Sequence, residues 1–126
     1  MLWKERRAIV PEGKPLGKPL ATAKISASHK GAYVASIEGV IKYLDIEKGT
    51  FTEEFDAKAF TNSIAVSRTN EDLCYIATDK KKILVVEKLK LKSEFTLDFE
   101  PLVIEVSNDD KTLFIGNKVI IFAVFK

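Results

Sequence analysis

The chain has 126 residues, of which 46% are hydrophobic and 30% charged, with a formal net charge of +2. That length suits one domain, and the apolar share is enough to bury a core. The charge is uneven: residues 1–20 hold Lys4, Arg6, Arg7, Lys14 and Lys18 against Glu5 and Glu12, which leaves the remainder at −1. A body so close to neutral argues against electrostatic binding of nucleic acid, and a basic arm of this kind reads first as a solvated tail.

The one cysteine, Cys74, cannot form an internal disulfide, and with His29 as the single histidine no zinc ligand set is available. No Asn-x-Ser/Thr sequon occurs, and the opening Met-Leu-Trp-Lys-Glu-Arg-Arg lacks the apolar stretch of a secretory signal. The longest apolar run, Val119 to Phe125, is too short to cross a bilayer as a helix. These features lead to an expectation of a cytoplasmic or other intracellular reducing compartment.

In chain order, short β-branched and aromatic runs predict strands over Thr22–Ala27, Ala32–Ile37, Val40–Ile46 and Thr50–Phe55. A second set is predicted over Ser63–Ser67, Leu73–Thr78, Ile83–Lys88 and Glu94–Phe99, and a third over Val103–Ser107, Thr112–Gly116 and Lys118–Phe125. The breaks carry turn chemistry, as in His29-Lys30-Gly31, Glu47-Lys48-Gly49, Thr69 to Asp72, Asn108 to Lys111 and Gly116-Asn117. Segment Glu87–Phe95 contains good helix formers, but its apolar and polar residues alternate, which predicts strand, turn and strand.

The sets repeat. Ile64, Val66, Ser67 and Leu73 recur 40 positions later as Ile104, Val106, Ser107 and Leu113. Tyr33-Val-Ala-Ser36 returns as Tyr75-Ile-Ala-Thr78 after 42 positions, and Leu44-Asp45 as Val86-Glu87 after 42; 41 positions before Leu44 stands Trp3, and Phe122 fills the slot in the last set. A period near 40 with four strands per unit is the mark of propeller blades, small twisted sheets that exclude water only by stacking on neighbours. The fold expectation is therefore all-β, with about three four-stranded antiparallel blades forming a partial propeller or part of a larger ring. Small residues at Ala35, Ala77 and Gly116 are expected on a crowded inner strand. Phe95, Phe99, Phe114, Phe122 and Phe125 are expected to pack between blades.

Two stretches carry a family likeness. Val40-Ile-Lys-Tyr-Leu-Asp-Ile-Glu-Lys-Gly49 resembles the third strand and exit turn of a WD repeat, with Leu44-Asp45 where Trp-Asp would stand. Val106-Ser-Asn-Asp-Asp-Lys-Thr-Leu-Phe-Ile-Gly116 resembles the Ser-Pro-Asp-Gly-Lys hairpin of the WD-repeat and YVTN-type propeller families. The resemblance covers about residues 20–126. It lacks the Gly-His and Trp-Asp dipeptides, so the Asp–His–Ser–Trp hydrogen-bond network of a WD repeat is not carried over. The implied layout is a basic arm over 1–20 with one outer closing strand somewhere in 5–18, then blades over 21–60, 61–100 and 101–126. About three blades fall short of the 4–8 of a usual ring. The chain is thus expected to be a fragment of a longer propeller, to pair with a second copy in a six-bladed ring, or to dock on another chain.

Candidate chemistry is sparse. Gly13-Lys-Pro-Leu-Gly17-Lys-Pro19 has the wrong spacing for a phosphate loop, and Pro19 removes a backbone donor. The paired acids Glu53-Glu54, Glu71-Asp72 and Asp109-Asp110 fall in turns or at a strand edge and read as solvated. Cys74 and His29 belong to different blades, which argues against a nucleophile and base pair. No catalytic, cofactor or metal residue is assigned. Lys80, Lys81 and Lys82 in a hairpin, with Arg6 and Arg7 of the arm, are the partner-binding candidates; the lysines also suit an acidic peptide, a phosphorylated segment or RNA. Lysines on a solvated hairpin that block edge pairing are the plainer reading. The expected function is a non-enzymatic protein-interaction scaffold, and the alternative is a ligand-binding or hydrolase-type propeller with a site in the central channel.

Overall fold

The computed structural model describes residues 19–119 and 121–125, with the side chains of Phe122 and Phe125 outside the described set. The basic arm, with Trp3, the candidate closing strand and the Gly13–Gly17 stretch, therefore lies outside it. Among the described residues the chain is all-β and forms three antiparallel sheets. The first holds β1 (Leu20–Ile25), β2 (Gly31–Ser36), β3 (Val40–Asp45) and β4 (Thr50–Asp56) in chain order. The second holds β5 (Thr61–Val66), β6 (Leu73–Thr78), β7 (Lys82–Glu87) and β8 (Lys90–Thr96) in the same order. The third has three strands, β9 (Val103–Val106), β10 (Thr112–Gly116) and β11 (Ile121–Phe125).

The sheets meet along their first strands: β1 packs on β5, and β5 on β9. These are the inner strands, so the expectation for Ala35, Ala77 and Gly116 needs correcting, since all three lie on the second strands. The reason for their small size is local. The inner strand of the following sheet crosses over this spot, β5 against β2 and β9 against β6, and Ala35 and Ala77 are left with no exposed surface.

Two apolar clusters fill the joints. The first combines Tyr33, Ala35 and Ile41 of sheet one with Ile64, Val66, Cys74, Ile76, Leu84 and Val86 of sheet two. The second combines Tyr75, Ala77, Ile83 and Phe99 with Ile104, Val106, Leu113 and Ile115 of sheet three. Each sheet thus has a forward face, bearing an aromatic, a small residue and an isoleucine, that receives the rear face of the next. Tyr33, Ala35 and Ile41 on sheet one correspond to Tyr75, Ala77 and Ile83 on sheet two, because Ala35 pairs with Ile41 as Ala77 pairs with Ile83. On sheet three the same places hold Phe114, Gly116 and Ile121. That face is open: Phe114 is 45% and Ile121 86% exposed, contrary to the packing role expected for Phe114.

The 40-residue match of Leu73 with Leu113 also needs correcting. The turn after Ser67 closes through Ser67 N–H to the Leu73 carbonyl, whereas that after Ser107 closes onto Thr112, one residue sooner. Leu113 therefore matches Cys74: Leu113 pairs with Val106 as Cys74 pairs with Val66. A one-residue slip moves a strand residue to the opposite face, so Leu73 lies in the second joint's cluster on a face opposite to the one the repeat implied.

Strand β8 starts four residues before the predicted Glu94. Lys88 and Leu89 both take positive φ (53° and 58°) and turn the chain in a two-residue hairpin. Leucine is disfavoured there, but its side chain packs on the first joint's cluster, and that burial offsets the backbone cost. Phe99 falls beyond β8 yet is buried in the second joint. The last strand begins at Ile121 instead of Lys118, since Lys118 and Val119 belong to the preceding turn, where Asn117 Oδ1 accepts the Val119 N–H at 2.9 Å.

Ile76 has no exposed surface and stands in the first joint. Ile76→Ala is expected to lower unfolding free energy by about 2–5 kcal/mol in a urea titration, as large-to-small changes in cores do. A loss below about 1 kcal/mol would show that the two sheets do not share this core.

Candidate functional site

Acidic turn residues that read as solvated in the sequence turn out to bridge the sheets. Glu71, in the β5–β6 turn, reaches back to sheet one. Its Oε1 accepts the Ser28 N–H at 2.8 Å, its Oε2 accepts the Tyr43 hydroxyl, and its carbonyl accepts the Tyr33 hydroxyl at 2.7 Å. Asp110, in the β9–β10 turn, reaches back to sheet two in the same manner. Its Oδ1 accepts the Arg68 N–H at 2.9 Å, and its Oδ2 accepts the Ser67 and Thr69 hydroxyls at 2.9 and 3.1 Å. Arg68 adds bonds across that joint, donating from Nη2 to the Val106 carbonyl (2.9 Å) and to Glu105 (3.0 Å). Lys24 of β1 comes within 3.7 Å of Glu105 as well, tying sheet one to sheet three at the inner rim.

Partial burial pushes the Glu71 carboxyl up, but the Ser26 hydroxyl, the Tyr43 phenol and the Ser28 groups outweigh it and hold it below the usual carboxylate range. The two phenols move the other way. Burial raises Tyr33, with the nearby Cys74 and Asp72 adding to it, and burial and Glu71 raise Tyr43. The signal for these caps was present in the sequence as an acid three or four residues after a turn serine. Their partners lie 28–43 residues away, and no local pattern reveals them.

The lysine hairpin acquires a context. Lys80 and Lys82 line a cleft of about 470 Å³ between sheets one and two, whose walls include Phe55, Leu84, Leu91 and, from the opposite side, Lys58. Leu91 is 49% exposed there. Lys82 Nζ lies 3.4 Å from Glu94 Oε1, an exposed pair of small energetic weight. Lys81 is exposed and takes positive φ (61°) in the turn itself. Arg6 and Arg7 lie outside the described residues, so the structure brings together only the hairpin part of the candidate set.

Cys74 and His29 are separated in kind as well as in place. His29 sits in the exposed β1–β2 turn, whereas Cys74 is fully buried in the first joint, and burial pushes its thiol up to about 12. A buried, protonated thiol of this kind is a poor nucleophile at neutral pH. Among the described residues no group of three or more His, Cys, Asp or Glu side chains is placed to hold a metal ion.

The stacking of four-stranded antiparallel sheets on their inner strands defines the class: these are β-propeller blades. Solved structures agree. The chain is similar to the hydrazine synthase of Kuenenia stuttgartiensis, with a TM-score of 0.74 and 16% identity over 90% of this chain and 36% of that one. It is equally similar to the WD40 repeats of RRP9 (TM-score 0.74, 12% identity, 81% of this chain and 33% of that one) and to U3-55K (0.74, 12%, 81% and 34%). At these identities the likeness establishes the fold alone, and the chain spans about a third of each of these structures. No protein-family model and no curated protein matches the sequence.

Two outcomes follow from this geometry. A carboxylate held low in the folded state adds stability above its unfolded value, about 4.3, and loses it as pH falls through the folded value. The stability difference between the wild type and Glu71→Gln is therefore expected to be largest near pH 7 and to shrink below about pH 4, measured by urea midpoints across that range. Cys74 is expected to resist iodoacetamide in the native protein and to react fully in urea; rapid native alkylation would contradict its burial.

Proposed function

We propose that the chain is a non-enzymatic protein-interaction scaffold built from WD-repeat-like blades, and that the cleft beside Lys80 and Lys82 takes an acidic segment of a partner protein carrying apolar side chains. The observation that carries this reading is the pairing of cationic rim and apolar wall in one cleft. Lys58, Lys80 and Lys82 outnumber the Asp56 and Glu94 carboxylates that line the same cleft, and Phe55, Leu84 and Leu91 supply apolar surface. Such a surface attracts carboxylates over a distance of about a Debye length and then holds aliphatic or aromatic side chains by desolvation. The two WD40 neighbours support the scaffold reading through shared architecture.

The test is selection from a displayed library of linear peptides against the full chain. Peptides rich in Asp or Glu and in apolar residues are expected. Lys80→Glu combined with Lys82→Glu is expected to weaken their binding at least 10-fold in fluorescence polarisation, while Lys111→Glu, in the β9–β10 turn at the other end of the sheets, leaves it unchanged. Indifference to the lysine changes would overturn the cleft assignment, and clear turnover of hydrolase or lactonase substrates would overturn the non-enzymatic reading.

A further inference from the structure

The lysine cleft has a continuation. A second cleft of about 320 Å³ is lined by Tyr43, Thr52, Glu53, Asp72, Lys88 and Leu89 among others. Thr52 and Glu53 precede Phe55 and Asp56 on β4, and Lys88 and Leu89 lead into β8, which carries Leu91 and Glu94 of the lysine cleft. The two clefts are therefore successive stretches of one groove, bounded by the same two strands. Those strands are the outer members of complete four-stranded sheets. The register fixes what faces the groove. Phe55 pairs with Ile41 on the forward face of sheet one, and Glu94 and Leu91 pair with Leu84 and Val86 on the facing side of sheet two.

Lys82 and Lys88 stand at opposite ends of this groove, at the start of β7 and just after its end. At about 3.3 Å per residue their separation is about 20 Å, the reach of about six extended residues. An α-helix of that length would fill on the order of 2,000 Å³. The two clefts hold about 470 and 320 Å³, so the groove fits an extended chain. Its ends differ in sign. At one end Lys58, Lys80 and Lys82 exceed Asp56 and Glu94. At the other Glu53 and Asp72 exceed Lys88, and the Glu71 carboxylate stands behind the Tyr43 hydroxyl that it binds. A half-buried phenol beside two exposed carboxylates favours a cation. Between the ends, Phe55, Leu84, Leu89 and Leu91 supply apolar surface.

We propose that the groove takes one extended segment of a partner protein, with its acidic residues at Lys80 and Lys82, its apolar side chains on Phe55, Leu89 and Leu91, and a lysine or arginine about four or five residues from the acids, held between Glu53 and Asp72. This rests on the reading of the lysine cleft given above and adds a second recognition point of opposite sign. A segment that is acidic throughout is disfavoured, because its far end meets Glu53 and Asp72. The groove thus selects the order and spacing of charges as well as their presence.

The test uses short capped peptides with two adjacent acids and two leucines, titrated against the full chain by fluorescence polarisation. Each carries one lysine at a different position, in both chain orders, beside a control without lysine. The tightest binding is expected with the lysine about four or five residues from the acids, about 5-fold tighter than the control, as partly exposed ion pairs give. Glu53→Gln combined with Asp72→Asn should erase that advantage and leave the control unchanged. Glu53→Lys combined with Asp72→Lys should instead favour the peptide with glutamate in place of that lysine. Lys80→Glu combined with Lys82→Glu should weaken every peptide in the set. Binding that responds to Lys80 and Lys82 but ignores the position of the lysine, or ignores Glu53 and Asp72, overturns the second recognition point and leaves the lysine cleft standing. Binding indifferent to Lys80 and Lys82, or absent for all peptides, overturns both. Circular dichroism melting checks that each variant is folded, and the lysine scan on the wild-type chain decides the outcome even where a substitution lowers its melting temperature.

Discussion

A sheet that is apolar on both faces cannot stand alone in water, and every other feature of this molecule answers to that constraint. Residues such as Ile64, Ile76, Ile83 and Ile115 lie almost wholly out of solvent because a neighbouring sheet covers them. Burial of an isoleucine stabilises by about 1.5–3 kcal/mol, so a few of them at each joint outweigh any single polar contact there. The inner strands must approach closely for this to happen, and the approach sets side-chain size on the strands beneath them. Alanine at 35 and 77 is the consequence.

Polar groups at the joints decide alignment more than they add cohesion. An apolar face tolerates small shifts and rotations of the sheet on top of it. A carboxylate that must meet one particular N–H does not. Glu71 and Asp110 each accept from donors on the preceding sheet, at the outer end of an already dry contact. The charge-assisted bonds they make are shorter and stronger than neutral ones, and their geometry is directional. The sheets are thus held in register by the turns and held together by the faces.

The same division of labour explains where binding chemistry sits. Cys74, the most reactive residue type in the chain, is spent on packing, and its thiol is kept neutral by burial. The lysines of the β6–β7 hairpin stay out of the two apolar clusters and border a cleft between sheets one and two.

Much of the architecture was legible in the residues. Among the described residues, period-two alternation and the turn residues located nine of the eleven strands to within two residues at each end, and the recurrence of Tyr33 as Tyr75 identified true equivalents. Errors arose where a local rule met a distant partner. Leu89 adopts a backbone conformation that leucine avoids because a cluster on another sheet holds its side chain. Leu73 and Leu113 share a repeat position on paper but face opposite ways, since one turn is a residue longer. The acids of two turns looked solvated because their partners lie in the blade before. By itself the sequence determined the strands, the repeat and the need for stacking, because these follow from side-chain polarity counted along the chain. Only the tertiary structure decided which face each residue serves, which acids cross between blades and which lysines share a cleft, because those depend on contacts between residues some forty positions apart.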